Sequence, residues 1–454
     1  MILTIIFIVG YYITTTKSSN IRKNLELANK YIAYGNYKEA IFKFENVINT
    51  DNKNIDAKQS LDILYAYEEV SELVAEDYIT KAQEKIDEIK EMPKFYIIKY
   101  KIEEIEEGLN GMGNSIQNMV SGGIVAYDKE NVYYKYGGIN KKNLDSNEVT
   151  KISDDCTITY LNTYLNIYND YIYYTNRIFE DDFENGGGVK YGAEVVRIKK
   201  DETNREVIIG SEDKLGSEFI QVIGNNLYYT IDSQLLKTMT LISMNLDTLE
   251  KKEILHLKKS GNLLGDRSIL IKNPDNTIDM YLNDFFASAG LKVIRDIENG
   301  NKEIEDVSHN MLGKVWVLKA DKEGVYFVSK HQKNITIYFN SYNSDKFDIY
   351  SSTEFIDDNN VGGFILGDSD MYFTDFRHDY GGYKLNDRIY KLNKKGEKQI
   401  VRNLFIEDSS GPIISEFYEN LYEVKGVLAY YEKNNESAEL VIDNDIILKK
   451  TKNE

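Results

Sequence analysis

The pattern of hydrophobic and polar positions begins with an apolar run at the N-terminal end. Ile2 to Ile13 is almost entirely apolar, and Thr14 to Thr16 extend the run before Lys17. The run is shorter than the ~17–25 residues of a usual membrane-spanning helix, but it is not amphipathic and a polar region follows it. An exposed apolar end of this kind is a liability in water. We therefore expect residues 1–16 to be an uncleaved hydrophobic signal anchor that contacts the membrane through residues 2–16.

Basic residues after this run bear on the membrane topology. Lys17, Arg22 and Lys23 follow it directly, which by the positive-inside rule favours a body on the cytoplasmic side. Large domains behind a signal sequence are nevertheless translocated largely regardless of such charges. We expect a single-pass protein of the cell membrane with an extracellular body, and a cytoplasmic-facing body is the alternative.

The second stretch, residues 20–110, has helical periodicity, because its apolar residues recur at spacings of three and four. Gly35 and Asn36 interrupt the pattern and predict a tight turn between two helices. Further helices are predicted over Ala57 to Val74, Ala75 to Glu91 and Phe95 to Glu107. The two helices around this turn and the three that follow would form two helix pairs and one capping helix, which is near the lower limit for a stable helical solenoid.

One segment of this helical region, residues 24–57, carries a recognisable motif. Small residues at Ala28 and Ala40 allow two helices to approach closely, and three aromatic residues fill the groove between them, namely Tyr31, Tyr37 and Phe44. The segment resembles a tetratricopeptide repeat, with Asn52 where that family prefers proline. The resemblance implies either a groove for a peptide partner or a spacer that holds the next domain off the membrane.

In the third stretch, residues 113–450, short strands alternate with turns rich in Gly, Asn and Asp. A short phrase ending in aromatic or bulky apolar residues occurs seven times, at Asn131 to Tyr134, Tyr171 to Tyr174, Asn226 to Tyr229, Ser268 to Ile271, Gly324 to Phe327, Asp370 to Phe373 and Leu428 to Tyr431. The closest two copies end at residues 134 and 174, 40 residues apart, which leaves room for four strands in each unit. Such a repeat predicts a β-propeller of seven blades, or alternatively six.

The complete prediction is a multidomain chain of α plus all-β class. It consists of a membrane anchor (1–16), a tetratricopeptide-like helical region (20–110) and a β-propeller (113–450). Placing each phrase on the second strand of a blade puts alternate tyrosines between neighbouring blades, because side chains alternate along a strand. We therefore expect these tyrosines to be structural residues.

Several segments of the first two units carry a more specific signal. Gly122 to Ala126, Asn131 to Tyr134 and Ile139 to Asp145 resemble the opening blade of a bacterial domain family of unknown function. Val195 to Thr203 resembles its recurrent strand and turn, but Glu202 departs from the glycine that the turn normally carries. The family is described as a β-propeller similar to those of low-density-lipoprotein-receptor-related proteins. The resemblance implies a fold and a repeat, and no catalytic residues.

Composition narrows the classes of partner. Acidic residues outnumber basic ones by 74 to 55, which gives a formal charge of −19. Nucleic acids and anionic lipids require a basic surface, so we expect no nucleic-acid partner. Cys156 is the single cysteine, and the four histidines show no metal-ligand spacing. The sequence therefore predicts no cofactor, no metal site and no catalytic residues.

Two units contain an enlarged loop between their second and third strands, at residues 176–191 and 375–383. In an antiparallel blade this connection opens on the same face in every unit. Both loops combine aromatic, acidic and glycine residues, so we expect this face to bind a ligand by ring stacking and carboxylate hydrogen bonds. The candidate ligand-binding residues are Phe179, Asp181, Asp182, Phe183, Tyr191, Phe376, His378, Tyr380 and Tyr383.

The predicted function is non-enzymatic binding or scaffolding, with a protein or a glycan as the partner. The alternative is a propeller-type hydrolase or lyase that acts on cell-surface polysaccharide. The two hypotheses differ in what the centre of the propeller should contain. Converging carboxylates with perturbed pKa values would favour an enzyme, whereas apolar and amide groups would favour a binding protein.

Overall fold

The computed structural model divides the chain into two compact units, Met1–Asn110 and Gly111–Glu454. The first unit is helical, and the second is built from antiparallel sheets. The residues described are 2–75, 79–109, 115–156, 163–181, 189–210, 215–233, 238–258, 267–273, 275, 277–283, 291–308, 311, 313–321, 323–331, 334–342, 347–354, 360–367, 370–376, 384–407, 421–425, 427–434 and 437–448.

The predicted helical character of the first unit is confirmed. Its described helices are α1 (Ile2–Ala33), α2 (Tyr37–Thr50), α3 (Ile55–Ala75), α4 (Ile79–Lys90) and α5 (Lys99–Leu109), with a 3-10 turn at Phe95–Ile97. The predicted anchor is not a separate element, because α1 continues unbroken from it into the helical region, where no glycine or proline interrupts residues 14–33. Within the residues described, no helix combines the length and the apolar composition that crossing a membrane requires.

The turn between α1 and α2 forms where the hydrophobic pattern breaks. Gly35 follows α1 with a φ of +70°, a conformation that glycine adopts without steric cost. Asn36 caps α2, because its Oδ1 accepts a hydrogen bond from the Glu39 N–H at 3.4 Å. Ala28 and Ala40 are fully buried, which is what close approach of two helices requires.

The second unit is a β-propeller of seven blades, so the seven-bladed prediction is confirmed over the six-bladed alternative. A short helix, α6 (Ile116–Val120), precedes the first blade. Blade 1 consists of β1 (Val125–Tyr127), β2 (Asn131–Lys135), β3 (Ile139–Asn143) and β4 (Val149–Ser153), and blade 2 of β5 (Asn166–Tyr168), β6 (Tyr171–Asp181), β7 (Val189–Lys199) and β8 (Glu206–Ile209). Blade 3 consists of β9 (Leu215–Ile223), β10 (Asn226–Ser233), β11 (Thr238–Asn245) and β12 (Lys251–Lys258), and blade 4 of β13 (Arg267–Lys272), β14 (Ile278–Asn283), β15 (Leu291–Ile294) and β16 (Glu305–Asp306).

Blades 5 and 6 also have four strands in chain order, whereas the described part of blade 7 has three. Blade 5 consists of β17 (Lys314–Ala320), β18 (Gly324–His331), β19 (Asn334–Ser341) and β20 (Phe347–Glu354), and blade 6 of β21 (Asn360–Leu366), β22 (Asp370–Phe376), β23 (Lys384–Asn393) and β24 (Lys398–Glu407). The described strands of blade 7 are β25 (Tyr422–Val424), β26 (Val427–Asn434) and β27 (Ser437–Ile447). First strands of neighbouring blades contact one another, as β1 does with β5 and β25. We call these first strands the inner strands.

The repeated phrase lies on the second strand of its blade, but the fourth copy was placed wrongly. Ser268 to Ile271 belongs to β13, an inner strand, and the second strand β14 carries Asp279-Met280-Tyr281-Leu282 instead. Tyr281 pairs with Ile269 across the two strands. Blade 4 therefore has an aromatic residue on its second strand, and the assignment of Ser268 to Ile271 to that strand is wrong.

The seventh copy is shifted by one residue. In blade 2, Tyr168 and Tyr171 pair across a two-residue turn, and in blade 7 Val424 pairs with Val427 in the same way. Counting from these turns, Ala429 occupies the position of Tyr173. The first six blades thus have tyrosine at the third position of the phrase, and blade 7 has alanine there.

The third and fourth positions of the phrase face opposite sides of the blade. Tyr133 of blade 1 packs in one core with Tyr174 of blade 2, and the ring of Tyr281 in blade 4 lies 5.9 Å from that of Phe327 in blade 5. The third position therefore faces the following blade and the fourth position the preceding one. All of these residues are buried, which places the tyrosines between the blades as their alternation predicts.

Blades 1 and 7 close the ring without sharing a strand among the described residues. The ring of Tyr431 lies 6.3 Å from that of Tyr134, and its hydroxyl donates to the Lys135 carbonyl at 2.9 Å. The Tyr127 hydroxyl donates to Glu423 Oε1 at 3.0 Å. This contact, which we call the seam, depends on side chains rather than on a strand ladder.

Basic side chains of both neighbouring blades donate hydrogen bonds to β27, the outermost described strand of blade 7. Lys142 of blade 1 donates to the Leu440 carbonyl at 3.2 Å. Arg402 of blade 6 grips the Asp443 carboxylate through Nε at 2.7 Å and Nη2 at 2.8 Å. The Asp443 side chain is only 5% exposed, so the carboxylate of this ion pair is largely removed from water.

Replacing Arg402 with methionine tests this bridge. Arg402→Met leaves the buried Asp443 carboxylate without its cation, and we expect the free energy of unfolding to fall by about 2–3 kcal/mol. Lys151→Met is the control, because Lys151 pairs with Asp154 on the surface and such pairs contribute about 0–1 kcal/mol. Urea unfolding followed by the fluorescence of Trp316, the single tryptophan, measures both. Equal losses in the two variants would contradict a role for the buried bridge.

Candidate functional site

The hairpin between the second and third strands of blade 2 is longer than its counterpart in blade 1. Strands β6 and β7 have 11 residues each, whereas β2 and β3 have five each. The ladder runs without interruption from Tyr171 paired with Lys199 to Asp181 paired with Val189. The six pairs from Asn176–Glu194 onwards extend the hairpin by about 20 Å at ~3.3 Å per residue. Most of the stretch that we predicted as a loop is therefore strand.

A network of polar side chains fixes the root of this hairpin. Asn176 Nδ2 donates to Glu194 Oε1 at 3.0 Å, directly across the ladder. Arg205, just before β8, donates to both oxygens of Asp155 at 2.7 and 3.0 Å and to Glu194 at 3.2 Å. The Cys156 N–H donates to Asn176 Oδ1 at 3.0 Å. We call Asp155, Asn176, Glu194 and Arg205 the hairpin base.

Charge complementarity stabilises the hairpin base. Burial disfavours the ionised form of Asp155, but hydrogen bonds from Arg205, Tyr174 and Ser153 outweigh it and hold the pKa of Asp155 below its usual value. The pKa of Arg205 is raised by its hydrogen bond to Asp155. Both groups stay charged near neutral pH, and their bidentate geometry restricts the orientation of the hairpin root.

Two buried polar residues lie near the hairpin base at the junction of blades 1 and 2. Lys135 is 2% exposed, and burial lowers its pKa to about 8. Burial raises the pKa of Cys156 to about 12, and its thiol donates to the Thr175 carbonyl at 3.1 Å. The thiol is therefore protonated at neutral pH, which disfavours nucleophilic cysteine chemistry. Blades 2, 3 and 6 have a buried threonine where blade 1 has Lys135, namely Thr175, Thr230 and Thr374.

The candidate ligand-binding residues of blade 2 are partly placed by the structure. Phe179 of β6 pairs directly with Tyr191 of β7, and Asp181 is the last residue of β6. Asp182 and Phe183 lie outside the described residues. The structure thus brings Phe179 and Tyr191 together, a pairing that the sequence analysis did not anticipate because it assigned both to a loop.

The candidate residues of blade 6 are less completely placed. Phe376 ends β22 and pairs with Asn360 of the inner strand β21. His378, Tyr380 and Tyr383 lie outside the described residues. By topology, the connections β6–β7 and β22–β23 emerge at the same end of their blades.

The centre of the propeller carries amide side chains that bridge neighbouring inner strands. Asn166 of blade 2 donates to the Ile220 carbonyl at 3.3 Å and accepts from the Val222 N–H at 2.9 Å. Gln221 of blade 3 bonds both peptide groups of Leu270 in blade 4, at 2.8 and 2.9 Å. Sequence reasoning missed these bridges, although a lone amide within an apolar strand is a usable signal.

Of the inner-strand side chains that the structure describes, one is a carboxylate, Glu423, and it accepts the hydroxyl proton of Tyr127. Burial is the main cause that raises the pKa of Tyr127, and the neighbouring Glu423 raises it further. Across the part of the chain that is described, no group of three or more His, Cys, Asp or Glu side chains is arranged to hold a metal ion.

Comparison with known proteins bears on the fold. No protein-family model and no curated protein matches the sequence. Among solved structures the chain is similar to an oligogalacturonate lyase in complex with manganese, at 13% identity over 74% of this chain and 90% of that one, with a TM-score of 0.46. An oligogalacturonate lyase from Vibrio parahaemolyticus gives 11% identity, coverages of 73% and 88% and a TM-score of 0.46. TolB from Acinetobacter baumannii is 10% identical over 70% of this chain and 74% of that one, with a TM-score of 0.35. Similarity at this level assigns no activity.

The buried amine of Lys135 makes a prediction about pH. Its pKa is about 8 in the folded protein against an ordinary value of 10.5, so between these values the unfolded chain binds more protons and the free energy of unfolding rises with pH. Relative to Lys135→Met, the wild-type free energy of unfolding should increase by about 3 kcal/mol between pH 7.5 and 10.5. Urea unfolding at several pH values measures this difference.

The control is Lys129→Met, which removes an exposed lysine from the same blade and should not reproduce the change. A difference between wild type and Lys135→Met that stays constant over this pH range would show that the amine does not titrate in a buried environment.

Proposed function

We propose that this protein is a membrane-attached binding protein that presents the face of the strand-two-to-three connections to a protein or glycan partner. The observation that carries the proposal is the hairpin β6–β7, which extends five residue pairs beyond the root formed by Asn176 and Glu194. The hairpin base holds this root by ion pairs and hydrogen bonds. A root that is fixed before binding limits the conformational entropy that is lost on contact, which favours affinity.

The residue types on this hairpin suit such a partner. Phe179 and Tyr191 are paired in the ladder, and aromatic residues are enriched at the centres of protein interfaces. Aromatic rings also stack on the apolar faces of sugars, while carboxylates such as that of Asp181 accept hydrogen bonds from hydroxyl groups. A glycan or a polar peptide therefore fits the chemistry of the hairpin.

Binding is favoured over glycan hydrolysis by the chemistry of the propeller centre. Hydrolysis of a glycosidic bond normally uses two carboxyl groups, about 5–9.5 Å apart. The described inner-strand side chains contribute a single carboxylate, Glu423, which is already engaged by Tyr127. Amides such as Asn166 and Gln221 occupy the bridging positions. The described amides support the proposal of a binding propeller.

The remaining parts of the proposal concern the N-terminal unit and the family. Residues 2–16 attach the chain to the membrane, and the tetratricopeptide-like helices over residues 24–57 act as a stem or as a second interaction module. Membership of residues 113–450 in the bacterial family with receptor-type propellers is part of this proposal and would fit an interaction role. The body is extracellular in this proposal.

Shortening the hairpin tests the proposed binding face. Replacing residues 179–191 with Asn-Gly closes the ladder at the pair Ile178–Gly192 with a favourable two-residue turn. We expect at least a tenfold loss of binding, because the projecting contact surface is removed while the hairpin base is kept. Binding of the labelled full chain to intact bacterial cells and to an immobilised panel of cell-surface glycans measures the effect.

The matched control shortens another hairpin on the same face. Replacing residues 234–237 of blade 3 with Asn-Gly leaves the pair Ser233–Thr238 in place and should preserve binding. Retained binding by the blade 2 variant, or an equal loss in both variants, would contradict a specific role for β6–β7.

Protease treatment of intact cells tests the membrane topology. A protease added outside should destroy a C-terminal epitope tag of the full chain before lysis, and removal of residues 2–16 should release the tagged protein from the membrane fraction. A tag that is digested only after lysis would instead support the cytoplasmic-facing body. A truncated chain that remains in the membrane fraction would rule out residues 2–16 as the anchor.

A further inference from the structure

The short helix α6 is hydrogen-bonded to inner strands of the last two blades. Gln117 Oε1 accepts from the Leu366 N–H of β21 at 2.7 Å. Asn118 accepts from the Glu423 N–H of β25 at 2.9 Å and donates to the Glu423 carbonyl at 2.9 Å. Both amide side chains are buried, at 3% and 1% exposure. They satisfy inner-strand peptide groups as a neighbouring strand would.

The same helix packs on further blades through an apolar side chain. Met119 is 3% exposed and belongs to one core with Ile269 of blade 4 and Val315 of blade 5. The helix contacts β13, β17 and β25 directly. Five residues of helix therefore link inner strands across blades 4 to 7.

The residues after α6 continue this linkage to blade 2. The carbonyls of Gly122 and Gly123 accept from the N–H groups of Thr163 and Leu165, at 3.4 and 2.5 Å. Gly123 has a φ of +63°, and a Cβ there would lie 2.5 Å from the Tyr164 Cα. Only glycine fits this position, so the close approach to blade 2 is specified by the sequence.

We infer that residues 115–123 form a latch at the centre of the propeller that holds the ring closed at the seam between blades 1 and 7. Glu423 is the point where the latch and the seam meet. Its peptide group is bonded to Asn118 of the latch, and its carboxylate is bonded to Tyr127 of blade 1. Release of the latch removes the hydrogen bonds of Asn118 to β25 and leaves side-chain contacts of the seam, such as that of Tyr127 with Glu423, to hold β25 beside β1.

In chain order the latch is the first described element of the propeller unit. The helical unit ends at Asn110, and the latch begins at Ser115.

Hydrogen exchange of the full chain, followed by mass spectrometry, tests the latch. Asn118→Ala should accelerate exchange about tenfold or more in peptides covering β1, β2, β25 and β26, and leave β10 and β11 unchanged. Asn166→Ala is the matched control, because this buried amide also bridges two inner strands, but away from the seam. It should accelerate exchange around β5 and β9 only.

Native-state exchange of the wild-type chain in low urea gives a second test that needs no variant. The latch, β1 and β25 should open together at a lower urea concentration than β10 to β14. The inference is overturned if Asn118→Ala changes exchange only at Glu423 and its neighbours, or equally in every blade. It is also overturned if α6 remains protected after β1 and β25 have exchanged.

Discussion

The structure of the propeller depends on one constraint, which is that a ring of sheets must bury both faces of every blade, including the first against the last. At junctions such as that of blades 1 and 2, the third position of the phrase meets the fourth position of the next blade, as Tyr133 meets Tyr174. At the seam the third position is Ala429, and the rings of Tyr422 and Tyr431 fill the space instead. The residues that pack at the seam therefore differ from those at the other junctions between blades.

Blades 1 and 7 are not consecutive in the chain and, like the other neighbouring blades, share no strand ladder among the described residues. Individual side-chain hydrogen bonds therefore set the register at the seam. The hydroxyls of Tyr127 and Tyr431 reach Glu423 and the Lys135 carbonyl, and Lys142 reaches the Leu440 carbonyl. Each such bond contributes about 0.5–1.5 kcal/mol, and more where a charge is involved. Several are needed because each is weak, and their burial makes each one geometrically specific.

The features that the sequence predicted well are those that local periodicity encodes. Alternation of apolar residues marks a strand within a few positions, so the number of blades and the burial of their tyrosines could be predicted. Ser268 to Ile271 and Asp279 to Leu282 are both apolar strands of one antiparallel pair, so local pattern cannot tell the first from the second. Only the absence of an aromatic residue from Ser268 to Ile271 indicated that this copy belongs to a different strand.

The contacts that define the candidate site were not predictable, because they join residues that are distant in sequence. Arg205 and Asp155 are 50 positions apart, and Asn166 and Ile220 are 54 apart. Strand and loop were also hard to separate between Asn176 and Tyr191, where alternating residues suit a strand but a run of three glycines suits a turn. The sequence located the enlarged connection, and only the fold revealed how its root is held.

Closure of the ring also bears on where a ligand binds. A ligand that displaced the side chains of Gln221 or Asn118 from their inner-strand partners would leave buried peptide groups without a hydrogen bond, at a cost of about 1–3 kcal/mol each. A ligand on the hairpin β6–β7 meets a surface whose root is already fixed by Arg205 and Glu194, so no bond that closes the ring is lost. Under the proposed function, enlargement of a connection on one face therefore adds contact surface without loss of the hydrogen bonds that close the ring.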